Sequence, residues 1–304
     1  MHDERRGLIY GASSYLLWGL FPLYWPLLEP AGTLEILAQR MVWSLAFVLI
    51  VLRVAGGYRG VVHVLQDRRQ RLLLAGAAVV ITSNWGTYIY GVNTQHVVET
   101  SLGYFINPLF TILLGVMVLG ERLRRAQWVA VGIASVAIVV IAVDYGRPPW
   151  IALILAFSFG MYGFFKKQAA VGALDSLAVE TGFMFPLALL TLVVLDIRGT
   201  LAFGHHSPSN TLLLAGTGVV TAIPLLLFAA GTRRLPLSVI GLLQYLAPVL
   251  QFAVGVGIRH EPLPAAEFVG FALVWIALIV LTVDGIRAGR ATAAARVAAA
   301  NVVS

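Results

Sequence analysis

Few residues in this 304-residue chain could do chemistry, and the most telling ones lie where charge is costly. Arg40 falls one to two helical turns into an apolar run, with Glu35 and Gln39 beside it. An isolated arginine in hydrocarbon costs at least about 2.5 kcal/mol, so Arg40 must face a protein interior or a wet cavity. Two roles are open to it. It holds an anionic or carboxylate group of a bound molecule, or responds to a protonating site; alternatively it pairs structurally with Glu35 or Glu99, or snorkels outward. Glu35 and Glu99 stand near the ends of their runs and Glu180 about one turn into another, where span position makes it the approximate mirror of Glu35. A carboxyl in low dielectric suits proton exchange. The same carboxyl near a helix N-terminus merely complements the helix dipole.

A second group is polar and aromatic: Trp18, then Asn84, Trp85 and Tyr88, then Tyr104 and Asn107, then Gln244 and Tyr245. Flat rings with polar edges suit a cavity for a flat or amphipathic molecule. The plainer alternative is hydrogen bonding between helices, worth about 0.6 kcal/mol per bond. Pro108 and Pro248 interrupt apolar runs and are candidate hinges, or static bends, because proline removes a backbone donor. Glu121 and Glu261 lie at helix ends and read as loop anchors. The six histidines are scattered and there are no cysteines, so we expect no metal site. The chain has no H-E-x-x-H, G-x-S-x-G or P-loop. An enzyme is not expected, nor a cofactor, and uphill work would have to draw on an ion or substrate gradient.

The elements that position these residues follow from composition. The chain is 59% hydrophobic, with mean hydropathy +0.87 and 12% charged residues. A soluble domain carries roughly 25% charge, so this surface faces lipid. Apolar spans fall near 7–25, 34–52, 72–90, 97–119, 126–143, 149–165, 176–195, 211–231, 236–257 and 265–283. Ten spans use about 200 residues, which leaves loops and termini but no soluble domain. With a cytoplasmic N-terminus, seventeen Lys and Arg fall on cytoplasmic segments and three (Arg147, Arg198, Arg259) on outside loops. That asymmetry predicts ten spans with both termini cytoplasmic. The net charge of +7 therefore orients the chain beside anionic lipid, and no nucleic-acid partner is expected.

Sliding the chain by 140 residues aligns 84–144 with 224–284 without a gap. Gly91/Gly231, Pro108/Pro248, Gly115/Gly255, Glu121/Glu261 and Asp144/Asp284 are identical pairs. The expected architecture is an all-α membrane protein of ten transmembrane helices in two inverted five-helix repeats, 7–143 and 149–284, with a cytoplasmic tail over 285–304. An odd number of spans per repeat inverts the second half, a plan common in secondary transporters.

The stretch from Pro108 to Gly120-Glu121, followed by Gln127-Trp128, resembles the EamA repeat of the drug/metabolite transporter superfamily. Pro248 to Glu261 repeats it, with His260 in place of the usual glycine. Glu35-Ile36-Leu37, Arg40 with Trp43-Ser44, Ser101 to Pro108 and Gly120-Glu121-Arg122 resemble its RarD branch. The resemblance covers nearly the whole chain and implies a ten-helix permease of the bacterial inner membrane. The expected function is export of a small organic metabolite or drug by alternating access with proton antiport. An uncoupled facilitator or exchanger, or a channel, is the alternative.

Overall fold

The computed structural model describes residues 2–119, 123–169, 171–232, 234 and 243–303, and among these all regular structure is helical. Among the described residues ten helices of twelve residues or more run in chain order: α1 His2–Gly19, α2 Thr33–Ala55, α3 Arg68–Asn93, α4 Val97–Leu119, α5 Arg125–Tyr145, α6 Trp150–Ala169, α7 Ala173–Ile197, α8 Pro208–Thr232, α9 Leu246–Gly257 and α10 Ala265–Val303. Among the described residues six stretches are long and apolar enough to cross a membrane, in α2, α3, α5, α7, α8 and α10; α6 and α9 contain shorter apolar stretches. Their outward faces are apolar, as at Ile50, Val79, Val139 and Leu190, which suits a lipid environment.

Most helix ends lie close to the sequence breaks. α4 coincides with the expected span, 97–119. The first expected span, 7–25, instead ends at Gly19. The chain then makes a short helix, Phe21–Tyr24, and a 3-10 turn, Trp25–Leu28. Pro22 and Pro26 lack the donors that would continue α1. This detour turns Phe21 and Trp25 into the core, where both are buried. Arg59–Gln66 forms a short helix between α2 and α3 that packs on α7. The tail beyond Asp284 continues α10 as helix.

Helix packing is paired. α1 lies on α8 and α3 on α6; α2 lies on α8 and α3 on α7; α1 lies on α9 and α4 on α6. The contacts α2–α7, α4–α9 and α5–α10 complete the set of major contacts. Small residues allow the closest approaches. A methyl added at Gly103 of α4 would lie 2.8 Å from the Ala152 carbonyl oxygen of α6. One added at Gly218 of α8 would strike the Trp43 backbone carbonyl of α2. Bare backbone at these two points brings the helices within van der Waals reach.

Candidate functional site

The center of the molecule is built around Arg40, the eighth residue of α2, whose side chain is buried. Its Nε donates to Thr221 Oγ1 of α8 at 2.8 Å. The guanidinium carbon sits 3.9 Å from the Trp85 ring centroid, 5.2 Å from Trp25 and 5.7 Å from Phe21. Aromatic faces stabilise a cation through their quadrupoles, by about 2 kcal/mol or more when water is excluded. Among the described residues no carboxylate forms an ion pair with Arg40. Its Nη1 is buried without a hydrogen-bond partner, as are the Tyr88 hydroxyl and Trp25 Nε1.

The expected polar and aromatic group largely gathers here. Tyr88 meets Tyr104 edge to face at 5.7 Å. The Tyr104 hydroxyl donates to Asn84 Oδ1 at 3.1 Å, and Asn84 Nδ2 donates to Ser158 Oγ and the Leu155 carbonyl of α6. Trp18 packs at the edge of the same core, against Tyr15 and Phe228, and its carbonyl accepts from Gln251 Nε2 of α9. Gln39 accepts from Trp43 Nε1 at 2.9 Å and so orients that ring. Asn107 is buried in α4 with its side-chain oxygen facing Gly160 of α6.

Gln244 and Tyr245 lie elsewhere. They form the turn ahead of α9, and Tyr245 lines an apolar groove of about 310 Å³ with Phe105 and Trp275. Pro248 explains that turn, since it cannot donate to the Gln244 carbonyl four residues back. Pro108 lies within α4, whereas Pro248 stands in the first turn of α9.

Neither Glu35 nor Glu99, the two carboxylates offered as alternative structural partners of Arg40, pairs with it. Glu35, in the first turn of α2, accepts from the backbone amides of Ala202 and Phe203 at 2.8–3.1 Å. Glu99 accepts from the Ile151 amide at the start of α6 and from Arg147. Glu261 accepts from the Val97 and Val98 amides at the start of α4, both at 2.8 Å. First-turn amides have no partner within their own helix, so these charges tie loops and helix starts together at one end of the bundle. Glu261 thus acts as the loop anchor expected of it; Glu121 lies outside the described residues.

Glu180 is different. Its carboxylate is held by side chains: Lys166 Nζ at 2.9 Å, Ser176 Oγ at 2.5 Å and the Tyr162 hydroxyl at 3.1 Å. Glu180 is the eighth residue of α7, whereas Glu35 is the third of α2. Arg40 is likewise the eighth residue of its helix, α2.

Phe21, Trp25, Thr221, Tyr162 and Lys166 were not singled out in the sequence. Thr221 was the most legible of them, a hydroxyl within the apolar run 211–231. Among the described residues there is no cluster of metal-ligating side chains.

Comparison with known proteins bears on this arrangement. The EamA-like transporter family matches residues 5–143 and 148–283. The chain is 53% identical to Protein RarD of Streptomyces exfoliatus, over 99% of this chain and 96% of that one. It is 41% identical to the uncharacterized transporter YojE of Bacillus subtilis, over 95% of this chain and 98% of that one. A solved crystal structure of a protein with 20% sequence identity shares the fold at a TM-score of 0.61, covering 91% of this chain and 97% of that one. The relatives are transporters, not enzymes, and the chain is a multi-pass helical membrane protein whose family implies a small-molecule substrate. The chain belongs to the EamA-like transporter family, in the RarD branch of the drug/metabolite transporter superfamily.

Proposed function

We propose that the protein is a secondary transporter that exports a small organic metabolite or drug across the bacterial inner membrane by alternating access, coupled to proton antiport. The observation that carries this reading is the seam. The Arg40 cluster draws α2 and α3 from the first five helices and α8 from the second, around donors with no protein partner. Exchanging each helix for the one five places along leaves the set of major helix contacts unchanged, since α1–α8 becomes α6–α3 and α4–α6 becomes α9–α1. That symmetry supports two inverted halves, 7–143 and 149–284, rocking about a midplane site. Pro108 and Pro248 are the hinge candidates, and the positive-inside count supports cytoplasmic termini.

Glu180 is the coupling carboxylate in this reading. Glu35 and Glu99 accept from backbone amides, whereas every bond to Glu180 comes from a side chain that can move aside. The Lys166–Glu180 pair also favours a second reading, an uncoupled facilitator or exchanger, because the lysine already balances the charge. A channel is the remaining alternative. Counterflow in vesicles tests the central reading. Unlabelled molecule trapped inside accelerates entry of the labelled molecule through a carrier, and does not through an open pore. A pH gradient then drives accumulation under antiport and leaves it unchanged under the second reading.

A further inference from the structure

A buried guanidinium with aromatic rings around it and, among the described residues, no acid paired with it calls for an anion. Arg40 contributes one full positive charge to the core, and its protein bond is to a neutral hydroxyl, Thr221. The neighbouring vacancies are of the same sense. Arg40 Nη1 and Trp25 Nε1 can only donate, and the Tyr88 hydroxyl can donate. Buried donors left empty cost free energy that a bound acceptor recovers. Asn84, a neutral polar residue of the same core, already has partners.

We propose, resting on the transport reading above, that Arg40 is the anchor for the anionic group of the transported molecule, and that this molecule is a flat organic monocarboxylate. A carboxylate is the group that Arg40 can hold through two parallel bonds. One cation without a second beside it suits a single negative charge better than a phosphomonoester dianion. The body of the ligand lies against aromatic edges, because Tyr88, Tyr104 and Trp85 border the charge. A cationic molecule is excluded by the guanidinium itself.

The test uses purified full-length protein and measures equilibrium binding of benzoate, cinnamate and 2-naphthoate beside their uncharged amides. Thermal unfolding and tryptophan quenching are the readouts. In wild type we expect the acids to bind about tenfold tighter than the amides or better. Arg40→Gln removes the preference, Arg40→Lys keeps a weaker one, and Thr221→Val keeps the preference with reduced affinity. Equal binding of acid and amide overturns the proposal. So does a preference that survives Arg40→Gln, a response given fully by chloride, or the absence of binding by all three acids at millimolar concentration. Binding selectivity and flux fail separately. Counterflow of an uncharged solute without acid selectivity removes the anion site and keeps the carrier; acid selectivity without counterflow does the reverse.

Discussion

Arg40 is the eighth residue of α2 and Glu180 the eighth of α7, and the two carry opposite charges. The two helices pack on each other. Glu180 is neutralised by Lys166, while Arg40 is ringed by aromatic faces and has no acid partner among the described residues. The buried charge on α7 is thus balanced by a neighbouring side chain, and the buried charge on α2 has no such ion pair among the described residues.

Replacing Arg40 by methionine should separate stability from function. A buried charge without a counter-ion is costly, and apolar replacements of buried ionic groups are often neutral or stabilising by about 1–4 kcal/mol. We expect Arg40→Met to unfold at the same or a higher temperature than wild type while losing binding of the carboxylate probes. Thermal unfolding in detergent measures the first and quenching the second.

Glu180→Gln should uncouple. Glutamine keeps the shape and a hydrogen-bonding oxygen but cannot carry the exchanged proton. Accumulation driven by a pH gradient is expected to vanish while counterflow persists. Retained gradient-driven accumulation in vesicles removes Glu180 from the coupling role.

Glu261→Gln should act on structure. Two charge-assisted bonds to the Val97 and Val98 amides become weaker, and bonds to charged groups contribute about 1.5–3 kcal/mol each. We expect lower thermal stability and faster amide exchange at the start of α4, read by hydrogen-exchange mass spectrometry. Glu35→Gln should likewise speed exchange at Ala202 and Phe203, whose amides it holds.

Gly218→Val should disrupt the α2–α8 seam, because its side chain meets the Trp43 backbone carbonyl, which cannot swing away. Overpacking of this kind costs about 1–3 kcal/mol. A lower unfolding temperature is expected, with a further loss of carboxylate binding since α8 carries Thr221.

Most of the helices were legible because long apolar runs survive in one dimension. The end of α1 was less so. The apolar run continues through Phe21-Pro22 and Trp25-Pro26, and only the missing proline donors distinguish a turn from a helix. The importance of Arg40 was visible from its cost in lipid. Its cage was not, because Thr221 lies 181 residues away and Trp25 on a turn that the hydropathy pattern hides. The partners of Glu35 and Glu261 were invisible for a simpler reason. They are backbone amides, which nearly every residue has.

The central claim is that the Arg40 cluster opens to each side of the membrane in turn. The chain has no native cysteine, so a single Tyr88→Cys variant reports that opening cleanly. Tyr88 is buried, and an impermeant maleimide reaches it only when one side opens. We expect labelling from the outside in right-side-out vesicles and from the cytoplasmic side in inverted vesicles. Labelling in only one of the two preparations, or in neither, would contradict alternating access at this site.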